Sequence, residues 1–219
     1  MAKKVGGIQV NAKRRDVVVQ SGRGPRRVGD GYLYSTYRFA TSASPPVPVV
    51  ISANAEGLTF FATQQGGTGQ GFAAPLTLLE TNIKNAGKIP GEQAYRMESI
   101  GFGGTGDLSV TLTKTVERFG YLKFNTPQFD WVMGPAEMWP LGLNPGGVGG
   151  GAGVTAQEAG PGPAQAMRKM SVPIILPPDA TFNVSYVVPV AFTLATVYQQ
   201  AGQNVDFRVA MWGRWITEV

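Results

Sequence analysis

Neither cysteine nor histidine occurs anywhere in the 219 residues. Without cysteine there is no disulfide framework and no thiolate nucleophile. Without histidine the chain lacks the side chain that titrates nearest neutral pH. Serine–histidine and cysteine–histidine nucleophilic mechanisms are therefore excluded. Most zinc sites go with them, because they draw on the same two residues. The expectation is a non-enzyme, with no catalytic residue, no cofactor, no metal ligand and no small-molecule substrate.

Charge is also scarce. Charged residues make up 15% of the chain, against about 25% in an ordinary soluble domain. Hydrophobic residues make up 43%. So few charges suit either a large core or a surface covered by partners. No apolar run approaches the ~20 residues needed to cross a bilayer as a helix. The most apolar stretch, residues 186–197, is interrupted by Pro189. The first residues, MAKKVGGIQVNAKRR, hold no hydrophobic signal region.

The charge that is present is unevenly placed. Residues 1–38 hold nine bases (Lys3, Lys4, Lys13, Arg14, Arg15, Arg23, Arg26, Arg27 and Arg38) and two acids (Asp16 and Asp30), a net of +7. The other 181 residues hold ten bases and twelve acids, a net of −2. A basic leader on a near-neutral body is a pattern that contacts nucleic acid or an anionic membrane. The plain alternative is a solvated tail, or one that clamps a neighbouring subunit. Residues 1–31 are read as an extended basic arm, because 21–31 (SGRGPRRVGDG) show no apolar period. Residues 32–219 form the expected single domain, of a length that one all-β unit accommodates.

From residue 32 the texture is that of short strands. Segments 32–41, 95–104, 108–115, 181–190 and 205–219 alternate or cluster β-branched and aromatic residues between turn signals. Residues 108–115 (LSVTLTKT) place Leu108, Val110 and Leu112 on one face of a predicted strand. Segment 76–85 predicts a helical turn or two. No amphipathic helix of three turns is expected. Residues 140–166, with nine Gly and four Pro, read as a long loop. Eight to ten strands at this spacing predict an antiparallel sandwich or barrel.

Two glycine-rich stretches, 66–71 and 101–106, resemble phosphate loops only superficially. Neither opens a helix or carries Gly-Lys-Ser/Thr. The carboxylates are dispersed. Glu80 and Glu92 could meet in the fold, and Asp107, Asp179 or Asp206 could join an oxygen-lined cation site, but spacing favours neither. The sequon at Asn183 lies inside a predicted strand and is read as chance. Trp131, Met133, Trp139, Trp212 and Trp215 are large apolar groups near turns and strand ends, the residue types enriched at interfaces. Ordinary core is the plain reading for each taken singly.

Two segments carry a family resemblance. The first holds FFATQQGG and LETNIKNAGKIPGEQAYRMESIGF (60–102), and the second holds IILPPDATFNVSY and VDFRVAMWGRW. Together they resemble the jelly-roll major capsid proteins of icosahedral tailless bacteriophages, over roughly residues 58–130 and 167–219. The resemblance implies a single antiparallel jelly-roll β-sandwich with a basic N-terminal arm. It implies a viral structural protein that self-assembles, alone or with other capsid proteins, in the host cytoplasm. The arm would face packaged nucleic acid or inner membrane lipid, and the 140–166 loop would reach a neighbouring subunit. The family often fuses two jelly rolls per chain, and this chain is long enough for one. The rival expectation is a virion spike or lectin-like binding module.

Overall fold

The computed structural model describes residues 3–5, 8–10, 17–21, 24–40, 49–51, 58–104, 110–128, 130–141, 168–194 and 204–218. Among them, strands dominate and every strand pairing is antiparallel. The framework is a pair of long strands from opposite ends of the chain, β4 (Gly24–Ala40) and β13 (Val205–Glu218). They pair from Ala40 opposite Val205 to Arg26 opposite Glu218, with one register shift between Val205 and Asp206. On one side β13 is joined by β7 (Gln93–Gly104), and β7 by β10 (Lys169–Leu176). On the other side β4 is joined by a meander of β1 (Lys3–Val5), β2 (Ile8–Val10) and β3 (Val17–Ser21). The order across this seven-stranded sheet is β1-β2-β3-β4-β13-β7-β10.

A four-stranded sheet is built from β6 (Thr59–Phe60), β8 (Tyr121–Asn125), β9 (Asp130–Pro135) and β11 (Asn183–Val187), in the order β6-β11-β8-β9. A two-stranded ribbon pairs β5 (Val49–Ile51) with β12 (Phe192–Leu194). Strand alternation sets what is buried. In β13, Val205, Phe207, Val209 and Met211 are at most 2% exposed. In β11, Val184 and Tyr186 are fully buried, next to Phe182 at 3%. These side chains meet those of β7 and β8 in one apolar cluster. Its centre is a ring stack. Phe102 lies 5.0 Å from Tyr186 at an interplanar angle of 7°, and 5.3 Å from Phe207 at 15°.

One expectation is corrected. The described part of the expected 108–115 strand is helical: α1 spans Val110–Phe119. Leu112 and Val116 stand four residues apart and are fully buried, with Thr113 and Glu117 beside them at 5% exposure. That is the period of a helix face. The β-branched content of the segment favours a strand, but packing of Leu112 and Val116 into the common core overrides it. The boundary expected at residue 31 falls inside β4. Residues 24–31 continue that strand, 24–28 pairing with β3 and 26–31 pairing with β13 as far as Glu218. The stretch shows no alternation of its own, and its pairing is with residues almost 200 positions away.

Candidate functional site

The eight bases singled out in the leader divide in two. Lys3 and Lys4 lie in β1, and Arg26 and Arg27 in β4. Arg26 sits between Val19 of β3 and Glu218 of β13, and Arg27 between Val18 and Thr217. Lys13, Arg14, Arg15 and Arg23 lie outside the described residues. The structure thus ties part of the basic leader to the margin of the large sheet. The 140–166 loop is described only to Leu141. The Trp139 carbonyl accepts from the Phe102 amide, and the Leu141 amide donates back to Phe102.

Four of the five large groups singled out as interface residues pack into the main core of their own chain. Trp139 is 9% exposed, and its indole N–H donates to the Met133 carbonyl at 2.8 Å. Trp131 lies 5.8 Å from Phe124, and Trp215 lies 4.7 Å from Tyr95. Trp131, Met133 and Trp215 are all partly buried against the core. Trp212 is different. It belongs to a separate small cluster with Tyr34, Ala210 and Leu141, 6.4 Å from the Tyr32 ring. These residues lie on the opposite side of the large sheet from the core, where Tyr34 faces Ala210 and Tyr32 faces Trp212 across the β4–β13 ladder.

Beside that cluster stands a feature that composition alone does not reveal. The turn at residues 77–81 carries Leu78 at 59% and Leu79 at 76% exposure. Its backbone is tied at many points. The Thr77 carbonyl accepts from the amides of Glu80 at 3.1 Å and Thr81 at 3.0 Å. The Glu80 carboxylate accepts from the Thr77 amide at 2.7 Å and from the Thr77 hydroxyl. Burial alone would raise the Glu80 carboxyl, but the Thr77 hydrogen bonds and the Arg38 charge outweigh it and hold the group below its ordinary value. The Tyr34 hydroxyl donates to the Leu78 carbonyl, and the Arg208 guanidinium donates to the Leu79 carbonyl. Arg208 is fixed in turn by Thr36 at 3.0 Å and lies over the Tyr34 ring at 5.1 Å. The Thr-x-x-Glu spacing is a helix-start signature legible in the sequence. The expected helical turn is there, and it stops after one turn.

Further exposed apolar groups lie on the outermost strands of both sheets. Val172 is 76% and Ile175 61% exposed on β10, and Val132 is 67% exposed on β9. Pro173 interrupts β10, whose pairing with β7 slips between Lys169 and Ile174. Proline on an edge strand removes a donor and discourages strand addition.

The four-stranded sheet carries a polar groove of about 550 Å3 on its outward side. Thr59, Tyr121, Lys123, Asn125, Asp130 and Ser185 line it. The Asn125 amide donates to Asn183 Oδ1 at 2.6 Å and Ser185 Oγ at 2.9 Å, leaving its own Oδ1 buried without a partner. Lys123 pairs with Asp130 at 2.7 Å.

The acids weighed as cation ligands have other partners. Asp206 pairs with Arg38, Asp179 pairs with Lys88 at 2.8 Å, and Asp107 lies outside the described residues. Among the described residues no group of three or more acids gathers as a metal site. No helix among them is long and apolar enough to cross a membrane. The glycine-rich stretch 66–71 packs against β4. Gly71 has φ +81°, and an added Cβ would strike the Arg38 carbonyl. No protein-family model, curated protein or solved structure matches the chain.

Proposed function

We propose that the chain is a viral structural protein: a jelly-roll capsid subunit that assembles with copies of itself, and with other capsid proteins, into an icosahedral shell. The basic leader faces packaged nucleic acid or an inner membrane. The observation that carries this reading is the order of strand pairing. Taken along the chain, β4, β6, β7, β8, β9, β10, β11 and β13 make eight strands. The first pairs with the eighth, the second with the seventh, the third with the sixth and the fourth with the fifth. One long hairpin, rolled up so that β13 meets β7 and β11 meets β8, yields this order. This order supports the reading of an eight-stranded jelly roll, the architecture of capsid and lectin domains.

A fold does not fix a function. The charge segregation and the exposed apolar strands at the sheet margins favour assembly over solitary existence. The test is electron microscopy and sedimentation of the purified full chain across protein concentration and ionic strength. Closed particles of uniform diameter are expected. A monomer under every condition would overturn the proposal.

A second reading, a virion binding module, is favoured by the groove of Thr59, Lys123, Asn125 and Ser185. Its amides and hydroxyls suit a polyol ligand. A soluble monomer or trimer retained by immobilised oligosaccharide would favour it.

A further inference from the structure

Alternation along β8 and β11 sends Leu122, Phe124, Val184 and Tyr186 into the core. The residues between them form cross-strand rows on the outward side of the four-stranded sheet. Asn183, Asn125 and Asp130 make one row, and Thr59, Ser185, Lys123 and Val132 make the next. Tyr121 follows, opposite Val187. The groove of about 550 Å3 over these rows does not end at Asn125. A second groove of about 400 Å3, lined by Ala86, Thr126, Thr181 and Phe182, shares both Asn125 and Asn183 with the first. At that junction one polar atom is unmet. The Asn125 amide nitrogen donates to Asn183 and Ser185, and its Oδ1 is buried without a partner. Turning the amide over does not help. It would put Oδ1 in the nitrogen's place, 2.6 Å from Asn183 Oδ1, and if Asn183 turned as well, a donor would be left over instead. An unmet buried polar atom costs about 1–3 kcal/mol. A hydroxyl both donates and accepts, so it relieves either arrangement. The terminal torsion of asparagine is soft, so a hydroxyl at the junction draws the amide round at little cost.

Resting on the binding-module reading, we infer that the two grooves are one extended site for a neutral oligosaccharide, with Tyr121 against a sugar ring in the first groove, Asn125 at the junction and the chain continuing past Ala86 in the second. A sugar carries hydroxyls on its rim and C–H groups on its faces. Amides and hydroxyls beside a tyrosine ring, itself apolar in body and polar at its tip, match both. Each groove lies within the range of a small-molecule site, about 300–1,000 Å3, so the pair takes a chain rather than a single ring. The charged residues lining the two grooves are Lys123 and Asp130, and they pair with each other at 2.7 Å. That pair gives and accepts hydrogen bonds while adding no net charge, which selects a neutral glycan over an acidic one and over nucleic acid.

The experiment titrates the full-length chain by isothermal calorimetry with maltohexaose, cellohexaose and N-acetylchitohexaose, with the disaccharide of each, and with a hyaluronan hexasaccharide as the acidic control. One neutral hexasaccharide is expected to bind about tenfold tighter than its disaccharide, the equivalent of about 1.4 kcal/mol, and the hyaluronan fragment not at all. Asn125→Ala is expected to weaken the hexasaccharide about tenfold. Ala86 is exposed, so Ala86→Trp fills the second groove without entering the core. It is expected to bring the hexasaccharide down to the affinity of the disaccharide and to leave the disaccharide unchanged. Circular dichroism and thermal melting check that each variant is folded. Should Asn125→Ala not fold, Ala86→Trp gives the decision alone. A folded variant that binds the hexasaccharide as the parent does overturns the inference and leaves the binding-module reading standing. So does a hexasaccharide no tighter than its disaccharide, and so does tighter binding of the hyaluronan fragment. A chain that binds none of these saccharides overturns the binding-module reading, and the inference falls with it.

Discussion

Arg38 and Asp206 face each other across the β4–β13 ladder and meet through two parallel bonds, Nε to Oδ1 and Nη2 to Oδ2, each 2.8 Å. A register shift at this point, where Val205 faces Ala40 and Asp206 faces Arg38 so that Phe39 of β4 is left over, brings Asp206 opposite Arg38. The two side chains are only 21% and 17% exposed, and the guanidinium also lies 4.2 Å over the Phe72 ring. A forked, partly desolvated pair of this kind is worth more than a free surface ion pair. Arg38→Ala is expected to cost about 1–2 kcal/mol in denaturant unfolding. Arg38→Lys should recover only part of that, because lysine keeps the charge and loses the fork. Equal stability of Arg38→Lys and the parent would show that charge alone matters there.

The turn from α1 into β8 depends on Gly120. Tyr186 passes over it to donate its hydroxyl to the Val116 carbonyl, and a Cβ at residue 120 would fall within the Tyr186 ring. Tyr186 also stacks on Phe102, so its displacement disturbs the centre of the core. Gly120→Ala is expected to destabilise by about 1–3 kcal/mol, the usual range for forcing volume into a packed site. Tyr186→Phe removes the hydroxyl and keeps the stack, and should cost about 1 kcal/mol. If both variants melt with the parent, the close approach is not rigid.

Glu117 is a buried acid of helix α1. Burial pushes its carboxyl above the ordinary 4.5, and Glu137 adds to that, while Lys114 at 3.3 Å works against it. Tyr186, raised itself by burial and by Glu117, faces the same site. The fold therefore keeps a proton on Glu117 at pH values where the unfolded chain has released it. Stability then falls as pH climbs from about 4.5 toward the raised folded value. Glu117→Gln should melt a few degrees above the parent at pH 7 and alongside it at pH 4. A variant less stable at pH 7 would mean that the Lys114 pair outweighs burial.

How much of this was legible in the sequence depends on whether the deciding contact was local. Strands β11 and β13 announce themselves, because Phe182, Val184 and Tyr186, and Phe207, Val209 and Met211, alternate with smaller or polar neighbours. The single turn at Thr77–Glu80 is equally legible from its spacing. Helix α1 is not. Leu108, Val110 and Leu112 alternate as a strand does, and the evidence for a helix lies further on, at Val116 and Glu117. The first half of β4 has no pattern at all, since β3 and the end of β13 make it a strand. The outward fixing of Leu78 and Leu79 depends on Tyr34 and Arg208, residues 44 and 129 positions away. No local window contains those distances.

The position of β4 also dictates how the basic leader is to be removed. Cutting at residue 28 would take Arg26 and Arg27 out of a paired strand and strip Glu218 and Thr217 of their β4 partners. Cutting after residue 22 spares β4 and still removes five bases (Lys3, Lys4, Lys13, Arg14 and Arg15) against one acid, Asp16. The shorter deletion is expected to melt close to the parent, because the apolar core lies beyond it. Its binding to single-stranded nucleic acid or to anionic vesicles should weaken, most at low salt. Each lost phosphate contact flattens the slope of log affinity against log salt by about 0.7–0.9. A truncated chain whose salt slope matches the parent would place the anion contact elsewhere, on Arg26, Arg27 and the body. A truncated chain that unfolds would make the β1–β3 meander part of the folding unit rather than an appendage to it.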